Sequence, residues 1–380
     1  MKFNRFFFFA FAALLSVFLS ACGGAPPAAN WPGMTSDGKN VYITDVQFVY
    51  TVQVSDGKPV TVIVPGSDGT PKPMRFPAEG DANLSFYAAP ALTADGQMIL
   101  GNGLAGTADA GPRLLYSVDP VTDTQKWTFA ESKGIWLGSA AVSADSIFAA
   151  SGNGKVYALD LNGKKRWEAA VSQHALWSAP VTDGKQVFVS TLDHEIIALD
   201  AQTGEQYWKA GLDTSIIASP VVAADGMLYV GTLSGSLYAL KTADGSKVWQ
   251  TALDGNIWST PVVDGDALYI GTSKGAAGKL YALKTADGQT VWTHDEAGSI
   301  IASPLVLPDQ IIYVTEAGHI QSLNKNGTSK WLAPEIQGAK IYTAPILSGD
   351  FIIIAPMQAQ FILAAYDQNG VQKWTFAPAK

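Results

Sequence analysis

Four histidines, one cysteine and a recurrent Asp-Gly step are the residues of this chain from which a reactive site would be built. The histidines are His174, His194, His294 and His319. No two have the spacing of a zinc pair, and there is no His-x-x-x-His. His194 and His319 fall in equivalent turns of two distant repeats, so solvated turn histidines are expected and no metal site. Asp-Gly occurs at Asp37, Asp95, Asp183, Asp225, Asp244, Asp264 and Asp287. A calcium loop would continue with alternate oxygen ligands, and none does; hairpin turns account for the pattern. No Walker phosphate loop is present, and no catalytic residue is assigned.

The elements that hold these residues are set by tryptophan. Trp127, Trp167, Trp208, Trp249, Trp292, Trp331 and Trp374 recur at intervals of 40, 41, 41, 43, 39 and 43 residues. Each ends one phrase, clearest in Ala198-Leu-Asp-Ala-Gln-Thr-Gly-Glu-Gln-Tyr-Trp208. Between tryptophans run β-branched segments separated by Gly-containing turns, which predicts four short antiparallel strands per repeat. One such sheet cannot bury both faces alone, so repeats must stack around an axis. The expected fold is all-β, an eight-bladed β-propeller of four-stranded antiparallel blades, with the seven tryptophans as structural docking residues between blades.

The eighth blade comes from the first-strand phrase. Trp31-Pro-Gly-Met-Thr-Ser-Asp-Gly38 aligns without gaps to Trp177-Ser-Ala-Pro-Val-Thr-Asp-Gly184. Blades are expected to start near 31, 84, 135, 174, 215, 256, 299 and 340. The first is degenerate: it ends with Val60–Val64, where Val60 takes the place of the tryptophan. A seven-bladed ring with a separate N-terminal strand pair, or an open β-solenoid, remains as an alternative.

Residues 1–21 read as a lipoprotein signal peptide. Lys2 and Arg5 precede an apolar run from Phe6 to Leu19 broken only by Ser16, and Leu19-Ser-Ala-Cys22 follows. Cys22, the single cysteine, is the expected lipidation site, with 22–30 as a short linker and 31–380 as the propeller. Without Lys2 and Arg5 the chain carries 23 basic and 33 acidic side chains, a net charge of −10. Such a body excludes nucleic acid as a partner and is repelled by anionic headgroups. Lipid on Cys22 must hold it to the membrane of the cell envelope, the outer membrane in a cell that has one. A monomeric propeller is expected, and no cofactor.

The Ala-x-Asp-x-x-Thr-Gly-x-x-x-Trp phrase, complete at Ala198 to Trp208, resembles the tryptophan-docking repeat of quinoprotein (PQQ-type) propellers, over about residues 31 to 376. One branch of that superfamily, the PQQ-dependent dehydrogenases, holds its cofactor under adjacent cysteines beside a calcium. This chain has no cysteine pair and no matching ligand set. The other branch is the non-enzymatic lipoprotein of the outer-membrane β-barrel assembly machinery, BamB. That resemblance implies a non-catalytic, lipid-anchored scaffold with an envelope protein as partner. A lipoprotein that binds a small ligand or glycan at the channel mouth is the alternative of a different class.

Two features bear on the working surface. Trp31, Tyr87, Gly138, Trp177, Ile217, Trp258, Ile301 and Tyr342 stand three residues before the position that is proline in most first strands, Met34 and Ala141 taking it in the first and third. The aromatic members, Trp31, Tyr87, Trp177, Trp258 and Tyr342, either wedge between blades or form a rim around the channel mouth. The connections Pro65–Asn83, Gly103–Leu114 and Ser273–Lys279 are longer than their sisters, and long loops on a rigid scaffold commonly carry binding. They are expected on the face that the tether enters, with Arg75 and Arg113 as exposed cationic contacts. Gly23 to Asn30 reach about 27 Å at roughly 3.4 Å per residue, which keeps that face close to the bilayer.

Overall fold

In the computed structural model, residues 32–63, 69–78, 84–103, 113–130 and 132–378 are described below. The chain forms eight four-stranded antiparallel sheets in sequence order, each one blade of a β-propeller. Blade 5 is typical: Val221–Val222 innermost, then Met227–Gly231, Ser236–Lys241 and Lys247–Ala252 at the perimeter. The β-branched and aromatic residues of the two middle strands are sealed from solvent on both sides, as a sheet packed between two neighbours requires. The innermost strand is only two residues long, so the segment Ser215–Pro220 enters as irregular backbone rather than strand.

Eight apolar clusters fill the eight seams, one between each pair of neighbouring blades. The last blade packs on the first through Met34, Val41, Ile43 and Val52 against Ile353, Leu363 and Phe376. The degenerate blade therefore closes the ring as a true eighth member.

Small residues of the lead-ins to the innermost strands, with Ser190 at the end of a second strand, are hydrogen-bonded from blade to blade near the axis. Ser139 Oγ donates to the Ala89 carbonyl at 2.8 Å. Ser190 Oγ donates to Ala218 O at 2.8 Å, and the Thr260 N–H donates to Ser303 Oγ at 2.9 Å. Thr343 donates to Pro32 O across the closure.

The outermost strand of blade 1 departs from expectation. It is Arg75–Phe76, paired with Val49 and Tyr50, and not Val60–Val64. Lys58 to Val60 begin the strand: the Val60 N–H donates to Thr51 O at 2.9 Å. The chain then leaves the sheet as a two-stranded ribbon, Thr61–Val62 against Lys72–Pro73, and returns at Met74. Among the described residues of 65–83, Lys72–Pro73 belong to the ribbon and Arg75–Phe76 to the perimeter strand, where a simple connection between blades was expected.

Candidate interaction surface

Each of the seven motif tryptophans does the same thing. Its Nε1 donates to a backbone carbonyl of the next blade at 2.8–3.1 Å: Trp127 to Leu161, Trp167 to Ala201, Trp208 to Thr242, Trp249 to Thr285, Trp292 to Lys325, Trp331 to Gln368, and Trp374 to Val54. The indole face lies against a glycine of that next blade, such as Gly245 under Trp208 and Gly57 under Trp374. A Cβ at Gly57 would fall 2.5 Å from Trp374 Cε3, and φ there is +71°, so both space and backbone demand glycine.

The seam between blades 1 and 2 lacks this dock. Where sister turns place glycine, blade 2 places Asp123 at φ 57°, its N–H donating to Asp119 O at 2.8 Å as Gly204 does to Asp200. Burial pushes the Asp123 carboxyl up to about 7, opposed only by a hydrogen bond from the Arg75 backbone N–H. In place of an indole, Phe76, Phe86 and Tyr116 fill the seam with ring centroids 5.5–6.2 Å apart.

Five consecutive seams carry a second clasp on the opposite face, built on carboxylates. Ser172 Oγ donates to Asp193 Oδ2 at 2.6 Å, and His174 Nδ1 lies on Asp193 Oδ1. Those bonds, Ser172 first, hold the Asp193 carboxyl below its ordinary range. Asp213 accepts from Ser234 at 2.6 Å and from Ser236. Asp254 pairs with Lys274 at 2.6 Å. Glu296 accepts from Tyr313 OH at 2.9 Å and meets His319 Nδ1 at 3.2 Å. Glu316 accepts from Lys340 Nζ at 3.2 Å and Tyr342 OH at 3.0 Å. These clasps were missed in the sequence, although four of them recur at separations of 20, 21, 21 and 23 residues. Two of the four histidines are thereby occupied in seams. His194 takes the positive-φ turn position of Gly154, Gly235 and Gly318, one residue before the place of His319, so the two are not equivalent. Among the described residues no group of three metal-ligating side chains converges.

One string in the sequence spells a catalytic motif that the fold disarms. Gly271-Thr-Ser-Lys-Gly275 reads as Gly-x-Ser-x-Gly, yet Ser273 lies inside the strand Ala267–Lys274 and its Oγ bonds Ser299 Oγ at 2.9 Å.

The expected rim is only partly as read. Strand register places Leu137, not Gly138, in line with Trp177, four residues before the first strand residue of each blade. Tyr87, Trp177, Trp258 and Tyr342 are half-buried, while the residue before each, such as Leu176 or Ile257, is sealed and wedges between blades. A Cβ at Gly103 would fall 2.1 Å from Tyr87 Cε2, so that ring lies flat on its own blade. Trp31, Cys22 and the loop 104–112 lie outside the described residues.

Both arginines correct the expectation of exposed contacts. Arg113 is 8% exposed, with Nη1 donating to Gly103 O at 3.4 Å. Arg75 is half-buried; its guanidinium sits 4.3 Å from the Phe48 centroid and Nε donates to Ala78 O at 3.2 Å. Neither is a free cation on the surface.

With this geometry in place, the chain can be set beside known proteins. A family model described as "Outer membrane protein assembly factor BamB" matches residues 113–215, 193–296 and 273–377. The chain belongs to this family. BamB of Burkholderia pseudomallei (strain K96243) is 36% identical over 90 residues, which is 23% of this chain and 23% of that protein. The chain thus matches about a quarter of that relative's length. The crystal structure of BamB from Moraxella catarrhalis superposes with a TM-score of 0.65 at 20% identity, covering 77% of this chain and 88% of that one. The computationally designed Ika8 protein gives a TM-score of 0.64 at 14% identity, covering 77% and 87%. At those identities both likenesses speak to the propeller fold alone.

Proposed function

We propose that the protein is a lipid-anchored, non-catalytic scaffold that assists outer-membrane protein assembly from the envelope face of the membrane. The match of the BamB family model across residues 113–377 carries this reading. A rigid ring with docked seams presents loops and edges to partner proteins without supplying reactive groups. The absence of a cysteine pair from the sequence separates it from the dehydrogenase branch. Lipid on Cys22 would supply the membrane attachment that an acidic body lacks; lipoprotein maturation adds more than one chain, as stable anchoring requires. The test is co-purification: the tagged protein, extracted from native membranes in mild detergent, should bring down the barrel-forming subunit of the assembly machinery. Its absence from that complex, with the protein intact in the membrane, would overturn the reading.

A second reading, a small ligand or glycan held at the channel mouth, rests on the half-buried Tyr87, Trp177, Trp258 and Tyr342. Saturable quenching of tryptophan fluorescence by an oligosaccharide panel, lost in Trp177→Ala and Trp258→Ala, would favour it; no quenching by any member would dismiss it.

A further inference from the structure

One main-chain bond recurs from seam to seam where the chain enters an inner strand. The Ile216 N–H donates to Thr191 O at 3.2 Å, and the Ile257 N–H to Thr232 O at 3.3 Å. Between blades 1 and 2 the counterpart is the Phe86 N–H on Val46 O at 2.8 Å. Around that bond the supports of the sister seams are missing. The residue before the crossing amide adds a second bond in two of them: Ser215 Oγ donates to Leu192 O at 2.9 Å, and Asn256 Nδ2 to Leu233 O at 2.6 Å. Ser85 holds that place here at 1% exposure, and among the described residues its Oγ has no partner. A buried hydroxyl without a bond opposes closure of the seam.

The acceptor side is strained as well. Val46 is β-branched and stands at φ 52°, where such a side chain crowds its own backbone. Asp45, before it, takes the place of Thr191, Thr232, Thr272 and Thr315, the fifth residue after the first paired residue of each second strand. Thr191 and Thr232 donate their hydroxyls to the Glu195 and Ser236 carbonyls of their own turns. The Asp45 carboxyl meets no donor or cation among the described residues, and burial raises it above the ordinary carboxylate range. On the opposite face of the same seam burial also raises the Asp123 carboxyl, in a turn with no indole over it.

We propose that the seam between blades 1 and 2 is a gate, at which the ring opens and recloses while its other seven seams stay docked. Opening breaks the bond from Phe86 to Val46 and lets water reach Ser85 and Asp45. It also uncovers the contact of Phe76 with Phe86 and Tyr116. This goes beyond the assembly role and does not depend on it.

Native-state hydrogen exchange of the full chain, resolved to single amides, tests the gate. After correction for intrinsic amide chemistry, Phe86 should exchange about a hundredfold faster than Ile216 or more, with little dependence on urea below the unfolding transition. Trp249→Ala empties a dock between blades 5 and 6, so it should speed exchange at Ile216 through global unfolding and leave Phe86 unchanged. Asp45→Thr installs the sister residue and should slow exchange at Phe86 by about tenfold. Equal protection of Phe86 and Ile216 would overturn the proposal. So would a Phe86 amide that speeds in step with Ile216 in Trp249→Ala, or one that Asp45→Thr leaves unchanged. The measurement contains no assembly component, so its failure leaves the co-purification test untouched.

Discussion

Trp374 donates its indole N–H to the Val54 carbonyl at 2.9 Å, joining the last blade to the first across 320 positions of sequence. This is the same bond that the other six motif tryptophans make to their neighbours. It closes the ring without any exchange of strands between the two chain ends, and the indole on Gly57 stands at the closure beside the apolar cluster around Met34 and Ile353 and the Thr343 to Pro32 bond.

Trp374→Ala should lower the unfolding free energy by about 3–5 kcal/mol, the usual cost of emptying a large aromatic site. Gly57→Ala should also destabilise the wild type, because its Cβ enters the indole and φ is positive there. In the Trp374→Ala background the steric part disappears and only the backbone strain remains. Urea unfolding of the four proteins checks this; additive penalties would mean that the two residues do not share a dock.

Asp123 should make stability fall as pH rises. Its folded carboxyl is raised to about 7 from an ordinary 3.8, so the folded state favours the protonated form. The stabilising effect of that proton is complete below about pH 4, and it is lost as pH climbs through 7. Asp123→Asn keeps a residue that tolerates positive φ and removes the charge. Thermal melts should show the variant gaining on wild type between pH 4.5 and 8. A difference that is flat across that interval would contradict the burial argument.

Arg113→Ala should cost stability rather than binding. A buried guanidinium held to the Gly103 carbonyl packs its stem as well as its charge, and about 1–3 kcal/mol is expected from its removal. Chemical denaturation would measure the loss. An unchanged midpoint would return Arg113 to the role of a surface charge.

The propeller was legible because its cause is periodic. The indole of Trp208 needs the carbonyl and glycine of the next blade, so spacing and turn chemistry repeat together in the sequence. The perimeter strand of blade 1 was not legible, because residues 61 to 73 separate its two halves and no tryptophan marks it. Residue type alone makes Arg75 and Arg113 exposed cationic contacts; only the fold shows Phe48 under one and the Gly103 carbonyl beside the other. The carboxylate clasps left a weaker trace. Asp213 and Ser234 stand 21 apart, as Ser172 and Asp193 do, but the partner changes between Ser, Lys, Tyr and His from seam to seam.

The rate at which a newly made outer-membrane barrel protein reaches its folded, heat-modifiable form tests the central claim most directly. It is measured in cells lacking this protein and in the same cells restored with the wild type, with Cys22→Ala or with Trp374→Ala. The account predicts slowed folding in the deletion, full recovery with the wild type, and poor recovery with the unanchored or unclosed variants. Folding at the wild-type rate in the deletion would contradict it.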